Sequence, residues 1–423
     1  IRRVREELHM PIAIMLDTKG PEYRIGKFEN GSIELKEGAI FTLTTEKITG
    51  SEERVSVSYP GLCAELKPGN RVLINNGLIE LQVEESNPTE ARCRVVAGGT
   101  LSNLKSMSFP GRLFNQEYLS EQDKSDILFG AENDVDFIAC SFVSRREDLV
   151  SVREFLSAHG IHDIDLIAKI ENRSGVNNIE EISAACDGIM VARGDLGVEC
   201  PLPLLPALQK RIIRACNAIS KPVIVATQML LSMVNSPAPT RAETTDVANA
   251  VLDGADCVML SEETAMGNFP VETVQYMRKI TDEAEKLLVN DRKLEEPAAD
   301  KGIPEFLAYS ACLLAEKAHA KAIVSHSLSG ASARQVSCRR PPQDIYALTP
   351  DPVTIKALNF VWGVHPVFVA DPASDPSHLS RAENFIHNCP DFLPNECAVI
   401  TAGQLKGSTA TPRGTNLVKL YWK

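Results

Sequence analysis

Two residues of opposite charge, Lys169 and Glu171, follow a short apolar run that begins at Ile164. Because residues two apart on a strand point to the same face, this cation and this carboxylate are expected side by side at the carboxyl end of a buried strand. Burying such a pair is costly unless a partner, a metal ion or a substrate satisfies both charges. The pair therefore predicts either an internal salt bridge or two parts of one active site.

A second charged motif, Arg193-Gly194-Asp195, follows another apolar run. Glu171 and Asp195 would then end neighbouring strands and could share one hard divalent cation, since Mg²⁺ prefers a few carboxylates together with substrate phosphates. With Lys169 as a phosphate-neutralising cation, this set suits phosphoryl transfer, where catalysis is mostly positioning and charge neutralisation. Asp195 could equally be the N-cap of the next helix, and the same turn offers backbone N–H groups to an anion.

Four other polar segments can also be interpreted as structural. Thr227 closes an apolar run, so its hydroxyl could hydrogen-bond a substrate or a relay water, although a cap of the following helix is at least as plausible. Residues 240–243 have the form of a capping box, which we interpret as structural. The charged segment 17–24 could hold a monovalent cation through its oxygens or form a solvated hinge. The Ser/Gly-rich loop at 325–332 is typical of an anion site before a helix, but serine-rich caps are common.

The segments that position these residues share one pattern, in which an apolar, β-branched run is followed by a polar turn and a helical stretch. Such runs occupy residues 11–16, 137–141, 165–169, 188–192, 222–226 and 257–260. Alternating strands and helices predict a parallel sheet covered by helices. Nearly every run ends in reactive residues and none is followed by GxGxxG, which favours a TIM-type (β/α)8 barrel, whose strand ends meet at one rim. Only six runs are visible, so we expect the first two βα units to belong before Ile1.

Two stretches depart from this pattern and predict further domains. Short alternating runs separated by Gly, Asn and Pro turns indicate an all-β insertion that could act as a lid. A charged, Pro-containing linker is followed by alternating helices and strands, which indicates a separate α/β domain. We therefore divide the chain into a barrel at 1–25 and 111–285, an inserted all-β lid at 26–110, and a C-terminal α/β regulatory domain at 286–423.

Composition excludes several classes of function. The 423-residue chain carries a formal net charge of -12, which disfavours a broad nucleic-acid or anionic-membrane surface. Its 11 cysteines are dispersed without a CxxC pair, so a zinc site is disfavoured and the thiols are typical of a reducing compartment. No apolar run is long enough to span a bilayer. We expect a cytoplasmic protein with no nucleic-acid or membrane partner.

Long motifs across the chain resemble those of the pyruvate kinase family. Residues 164–176 resemble the active-site signature of that family at every position. The other matching segments are residues 16–24, 188–198, 225–233, 239–260, 261–270, 329–334 and 414–416. The resemblance covers essentially the whole chain and implies a barrel, a lid inserted after the third barrel strand, a C-terminal regulatory domain and a homotetramer.

The resemblance also implies an activity, the transfer of a phosphoryl group from phosphoenolpyruvate to ADP in glycolysis, giving pyruvate and ATP. By position, Glu171 and Asp195 ligate Mg²⁺ (or Mn²⁺), and Lys169 neutralises the transferring phosphoryl group and the enolate oxygen. Thr227 lies where the enolate is protonated. The catalytic set is then Lys169, Thr227 and Arg24, and the substrate-binding set is Lys169, Gly194, Asp195 and Thr227.

Two further sites follow from the resemblance alone. Asp17 and Thr18 would contribute to a K⁺ site, and Glu22 matches the form of the potassium-dependent members. The C-terminal loop matches the segment that holds an effector's phosphate, which implies a sugar-phosphate or nucleotide effector. The effector-binding residues are Ser327, Ser329, Gly330 and Ser332.

Four departures from the family pattern leave other functions open. The family's phosphate-binding Arg and two further K⁺ ligands would belong to the units expected before Ile1. Gln122 replaces a usual Lys near the nucleotide, Asn76 replaces an Asp in the lid, and Ser108 replaces an Asn. A second hypothesis is therefore a catalytically weak regulatory homologue that senses phosphorylated metabolites. A third, an aldolase-like lyase that acts on enolates, is disfavoured by the lid and the C-terminal domain.

Overall fold

The protein is described by a computed structural model that covers residues 1–291, 293–370, 377–403 and 415–423. It begins with helix α1 (Arg2–Leu8) and the short strand β1 (Met15–Asp17). The sequence predicts a strand over 11–16, but only its end is a strand. Pro11 has no N–H to give to a sheet, and the N–H of Ile14 donates to the Asp136 carboxylate at 2.7 Å.

An all-β unit, the lid, follows β1. Its strands are β2 (Tyr23–Arg24), β3 (Ser32–Leu35), β4 (Ile40–Thr44), β5 (Arg54–Ser56), β6 (Arg71–Ile74), β7 (Ile79–Ser86), β8 (Glu90–Ala97), β9 (Gly99–Ser102) and β10 (Ser106–Ser108), with helix α2 (Leu62–Glu65). Seven strands form one sheet in the order β2-β10-β6-β7-β8-β4-β5, and β3 pairs with β9. Alternate side chains of these strands, such as Phe41 and Leu43, are fully buried and form the lid's own core.

Alternating strands and helices follow the lid and make up the barrel. They are α3 (Glu121–Glu132), β11 (Phe137–Cys140), α4 (Arg146–Ala158), β12 (Asp165–Ile170), α5 (Arg173–Asn177), α6 (Ile179–Ala185), β13 (Gly188–Ala192), α7 (Arg193–Glu199), α8 (Leu205–Asn217), β14 (Val223–Ala226), α9 (Arg241–Leu252), β15 (Cys257–Val258), α10 (Glu262–Ala265) and α11 (Pro270–Asp291). Short 3₁₀ turns lie at Leu202–Leu204 and Leu231–Val234. Helix α9 begins with the predicted capping box, because Thr240 and Glu243 exchange side-chain and backbone hydrogen bonds.

The barrel strands form one curled parallel sheet in the order β1-β11-β12-β13-β14-β15. Their side chains are apolar on both faces, because one face packs on the helices and the other on the barrel interior. Ile167 lies on the interior face, so Lys169, two residues later, points the same way. Because the strands are parallel, all their carboxyl ends lie at the same end of the sheet, which we call the rim.

The C-terminal domain is a second α/β unit. Its elements are α12 (Ile303–Lys317), β16 (Ala322–His326), α13 (Ala331–Ser337), β17 (Asp344–Thr349), α14 (Pro352–Ala357), a 3₁₀ turn at Leu358–Phe360, β18 (Val364–Phe368), α15 (His378–Asn388), β19 (Cys397–Ala402) and β20 (Leu417–Trp422). The sheet order is β18-β17-β16-β19-β20, with only β20 antiparallel to its neighbour. The proposed domain boundaries at 25/26, 110/111 and 285/286 stay predictions.

The C-terminal domain contacts the barrel face opposite the rim through ion pairs at the amino ends of barrel strands. Asp256 precedes β15, and its carboxylate lies 3.0 Å from the Arg340 guanidinium. Asp136 precedes β11 and accepts from Lys356 Nζ at 2.6 Å. No helix in the described part of the chain is long and apolar enough to cross a membrane.

Candidate active site

Lys169 is the centre of a polar cluster at the rim. Its Nζ donates to Ser141 Oγ at 2.7 Å and to Asp17 Oδ1 at 2.9 Å, and it lies 3.3 Å from Glu171 Oε1. The side chain is only 11 % exposed. Burial opposes the charged form, but Glu171 and Asp17 outweigh it and raise the pKa of Lys169. Lys169 is therefore a cation at neutral pH, and the salt bridge that the spacing predicts is present.

Glu171 is a buried carboxylate with a hydrogen bond from the backbone. Its side chain is 3 % exposed, and Oε2 accepts the N–H of Phe142 at 2.6 Å. Phe142 has a left-handed backbone (φ 57°), which is unusual outside glycine. Burial raises the pKa of Glu171 to about 7 and Asp195 adds to this, while Lys169 and the Phe142 amide oppose it. A bound cation would relieve this cost of ionisation.

Asp195 lies in the first turn of α7, which follows β13 without a loop. Ala192 occupies the N-cap position, so the interpretation of Asp195 as an N-cap is wrong. Asp195 is exposed to the cleft at the rim, where the helix dipole favours a negative charge. Desolvation by the surrounding protein raises the pKa of Asp195, Glu22 and Asp17 add to this, and Lys169 opposes it. Carboxylates are thus crowded around one lysine.

Thr227 joins the ends of two neighbouring strands. Its Oγ1 accepts the N–H of Gly194 at 2.8 Å, so the alternative that Thr227 caps the next helix is wrong. Thr227 and Gln228 both have positive φ, at 71° and 55°. Arg193 fixes this turn, because its guanidinium donates to the Thr227 carbonyl at 2.7 Å and pairs with Asp246 at 2.8 Å.

The segment between β1 and the lid presents several oxygens near Lys169. The Asp17 carboxylate accepts from both Lys169 and Ser141. The Thr18 carbonyl accepts from Ser141 Oγ at 2.7 Å, and the Thr18 hydroxyl donates to the Ala139 carbonyl. Asp17 and Thr18 therefore lie together, as two ligands of one cation site would.

Arg24 lies in the lid and not against Lys169. Its guanidinium pairs with Glu22 at 2.7 Å and donates to the Leu104 carbonyl at 2.7 Å. Glu22 in turn faces Asp195, whose pKa it raises. Arg24 thus contacts the rim cluster only through Glu22.

A cleft opens between the rim and the lid. Its charged lining includes Glu22, Asp195, Glu199, Arg112 and Arg145. Aromatic rings close one side, where the Tyr23 ring lies 5.2 Å from that of Phe114 and 5.5 Å from that of Phe109, centre to centre. The cleft thus combines an apolar wall with charges of both signs, as ligand pockets do.

The carboxylates at the rim could serve as ligands of a metal ion. No group of three or more His, Cys, Asp or Glu side chains is arranged to hold a metal within the residues described. The carboxylates of Glu171 and Asp195 are close enough for the Asp195 charge to raise the pKa of Glu171, while Lys169 and the Phe142 amide oppose this rise. Such a pair fits a hard divalent cation that takes one or two protein carboxylates and completes its shell with other oxygens.

The predicted effector loop lies between β16 and α13. The Ser327 N–H donates to the Leu348 carbonyl at 3.0 Å, and the Ser329 carbonyl accepts from Arg334 at 2.8 Å. Gly330 has a φ of 72°, and a Cβ there would lie 2.8 Å from Leu358. The hydroxyls of Ser332 and Thr415 are hydrogen-bonded. Gly414, part of another matching segment, lies outside the described residues.

Several residues of the site were not given a role from the sequence. Ser141 appeared only as a strand end, yet it binds Lys169, and its position at the rim was the available signal. The amide of Phe142 carries no sequence signal at all. Glu199, which accepts the N–H of Phe109 at 3.0 Å, also carries no sequence signal, because its hydrogen-bond partner is a backbone group. Gln122 is exposed on α3 and donates to Asp126 at 2.7 Å.

Comparison with known proteins gives consistent matches over the whole chain. A family profile described as "Pyruvate kinase, barrel domain" matches residues 1–274, and "Pyruvate kinase, alpha/beta domain" matches residues 305–421. The chain is 39% identical to a pyruvate kinase of Clostridium acetobutylicum over 423 residues, which is 99% of this chain and 89% of that protein. It is 41% identical to pyruvate kinase 2 of Synechocystis sp. over 424 residues, which is 99% of this chain and 71% of that protein. Among solved structures, a pyruvate kinase from Cryptosporidium parvum matches with a TM-score of 0.89 and 36% identity, covering 100% of this chain and 86% of that one.

Proposed function

The chain belongs to the pyruvate kinase family and is a phosphotransferase, and from this premise we propose how its residues transfer the phosphoryl group of phosphoenolpyruvate to ADP. The P–O bond of the enol phosphate breaks, a P–O bond to the terminal phosphate of ADP forms, and the enolate takes up a proton to give pyruvate. The observation that carries the proposal is the placement of the Lys169 ammonium beside Ser141, Asp17 and Glu171 at the rim.

We propose that Glu171 and Asp195 hold Mg²⁺, with Mn²⁺ as a substitute. When bound, this ion supplies charge neutralisation for the phosphoryl oxygens. The raised pKa values of both carboxylates support the assignment, because burial and neighbouring carboxylates disfavour their ionisation and a bound cation would offset both effects. The N-terminal turn of α7, which contains Gly194, lies at the same site, and its helix dipole would favour the negatively charged phosphoryl group.

Lys169 is proposed to stabilise the developing charge. Its ammonium is held on three sides by oxygens, so the Lys169 side chain is already oriented. Phosphate and enolate oxygens can replace those contacts without a change of its rotamer. Thr227 is proposed to position the proton that reaches the enolate carbon, because its hydroxyl is fixed at the rim by Gly194. The proton would then pass through water.

We extend the proposal to a K⁺ ion held by Asp17 and Thr18. The Ser141 hydroxyl supports it, because this group lies within hydrogen-bonding distance of both the Asp17 carboxylate and the Thr18 carbonyl and so brings the two oxygens together. Arg24 is proposed to act on the site through Glu22, whose carboxylate it holds near Asp195.

The regulatory loop and the assembly are also proposals. A sugar-phosphate or nucleotide effector would bind at Ser327, Ser329, Gly330 and Ser332.

A homotetramer would bury a group of apolar side chains that are exposed in the single chain. These side chains lie on or next to elements that contact one another, and they are Leu231, Met266, Val271 and Val274. Light scattering of the wild type and of a Met266→Lys variant tests the assembly. A cytoplasmic location is also proposed, because the 11 cysteines are dispersed without a CxxC pair, as is typical of a reducing compartment.

Formation of pyruvate from phosphoenolpyruvate and ADP, followed through lactate dehydrogenase, tests the proposed reaction. We expect turnover that requires a divalent and a monovalent cation, and a loss of about 10²–10³-fold in kcat for Lys169→Met. Lys286→Met, which removes an exposed lysine paired with Glu283, is the matched control and should leave kcat unchanged. Absence of pyruvate with both cations saturating would contradict the proposal.

A catalytically weak regulatory homologue is the second candidate function. Gln122 favours it, because an amide that is hydrogen-bonded to Asp126 stands where the family pattern has a lysine. This candidate predicts binding of a phosphorylated metabolite in a calorimeter with negligible turnover.

A further inference from the structure

Glu199 joins the barrel to the lid. It is the last residue of α7, and its Oε1 accepts the N–H of Phe109 at 3.0 Å. The amide of Gly111 also faces this carboxylate and lowers its pKa, whereas burial raises the pKa of Glu199 to about 7. Pro110, between them, has no N–H to offer. One carboxylate of the barrel therefore holds residues 109–111, the segment by which the chain returns from the lid.

Phe109 packs this segment against the core of the lid. Its ring lies 5.5 Å from that of Tyr23, on the lid strand β2, and 4.9 Å from that of Phe114, which is part of the same core. These edge-on contacts are of the favourable kind for aromatic pairs. A change in the angle of the lid that moved the Phe109 ring would therefore act on the hydrogen bond between Phe109 and Glu199.

Glu199 and Asp195 lie on the same face of α7. They are four residues apart, which is about one helical turn or 6 Å along the axis. Both line the cleft between rim and lid, and the charge of Asp195 raises the pKa of Glu199. The helix is short and is fixed at its start by Arg193, which pairs with Asp246. A carboxylate proposed to hold the metal and the anchor of the lid are thus on one rigid turn.

We propose that Glu199 is a positioning residue that couples the angle of the lid to the placement of Asp195, and this rests on the proposed function for the role of Asp195. Through this coupling, closure of the lid over a bound nucleotide or phosphate would change the position of the Asp195 carboxylate. Conversely, a ligand on Asp195 would favour one lid angle, because coupling between two sites is reciprocal. The alternative is that Glu199 only anchors the lid.

Hydrogen–deuterium exchange of the full chain without substrates separates the two alternatives. For Glu199→Ala, we expect at least tenfold faster exchange both in residues 106–112 and in residues 193–198. The conservative variant Glu199→Gln keeps one acceptor oxygen and should recover part of the protection. Glu181→Gln, on an exposed position of α6, is the matched control and should change neither segment. Faster exchange in residues 106–112 alone would overturn the coupling and leave only an anchor.

Kinetics give a second, independent readout. We expect Glu199→Ala to raise the Mg²⁺ concentration needed for half-maximal rate about tenfold and to lower kcat/KM. The midpoint of thermal unfolding should change little. An unchanged Mg²⁺ requirement would count against the proposal. If the wild type forms no pyruvate while both segments still exchange faster in the variant, the proposed function fails and the coupling between lid and α7 stands.

Discussion

The hydroxyl of Thr227 accepts the backbone N–H of Gly194 at 2.8 Å, which ties the turn after β14 to the first turn of α7. Thr227 is β-branched and has a φ of 71°, a conformation that is strained for such a side chain. Arg193 supports this conformation by donating to the Thr227 carbonyl at 2.7 Å. Backbone strain held in place by several hydrogen bonds is typical of functional sites, and here it fixes a hydroxyl at the rim.

This relationship predicts different effects of two substitutions at Thr227. Thr227→Ser keeps the oxygen and should retain kcat within a few-fold, whereas Thr227→Val removes it and leaves the Gly194 N–H unpaired. We expect a loss of about 10²-fold in kcat for the valine variant, the usual scale for a lost proton-transfer group. Exchange of the pyruvate methyl protons into heavy water, followed by NMR, measures proton transfer separately from phosphoryl transfer. Normal exchange in the valine variant would exclude this role.

The spacing of residues predicted part of this site correctly. Lys169 and Glu171 are two residues apart at the end of an apolar run, and their charged atoms lie 3.3 Å apart. The same reasoning failed for Asp195 and Thr227 as helix caps, because β13 passes into α7 without a loop and Thr227 turns back toward Gly194. Capping rules assume a separate turn before the helix, and no turn of that kind precedes α7.

The fold was predictable where apolar runs are long enough to show a period. The six runs taken as barrel strands all contain strands of one parallel sheet. Strands β2 and β10 were not predicted, because they are two and three residues long and form by pairing with each other.

A buried ion pair between the barrel and the C-terminal domain predicts a large effect on stability. Arg340 and Asp256 are only 6 % and 5 % exposed, and the guanidinium also stacks over Trp362. Arg340→Met would leave the Asp256 charge buried without a countercharge, held only by the N–H groups of Val223 and Trp362, at a cost of about 3–5 kcal/mol. We expect a clear fall in the midpoint of thermal unfolding. Arg278→Met, which breaks an exposed pair, is the control and should change the midpoint little.

The double variant Arg340→Met with Asp256→Asn distinguishes loss of charge pairing from loss of packing. Removing both charges should recover part of the stability that the single variant loses, because the cost comes mainly from the unpaired carboxylate. If the double variant is no more stable than Arg340→Met, packing against Trp362 is the larger contribution.

Asp165 predicts a pH dependence of stability. Burial and then Asp187 raise its pKa to about 6, while Arg334, Arg153 and Lys221 oppose the rise. Because the folded-state pKa exceeds the ordinary value, the folded protein holds a proton that the unfolded chain releases between about pH 4 and 6. The stabilisation of the folded protein by this bound proton is therefore present below that pH window. It is lost as the pH rises through the window.

Asp165→Asn removes the titrating group and should flatten this part of the pH profile. We expect the asparagine variant to gain on the order of 1–3 kcal/mol relative to wild type above pH 6, measured by urea unfolding at a series of pH values. Asp163→Asn, an exposed residue two positions earlier, is the control and should leave the profile unchanged. A parallel shift of the whole profile in Asp165→Asn would contradict the assignment.

Gln122 predicts a gain of nucleotide affinity on substitution. Its side-chain amide lies on the exposed face of α3, hydrogen-bonded to Asp126 at 2.7 Å, at a position where the family resemblance implies a cation near the nucleotide. A lysine there would add a positive charge toward the ADP phosphates, so Gln122→Lys should lower the KM for ADP several-fold and leave the KM for phosphoenolpyruvate unchanged. Because the site is exposed, raising the salt concentration should reduce this gain. Gln122→Met has a similar length without the charge and should not lower the KM, and a gain in both variants would exclude an electrostatic cause.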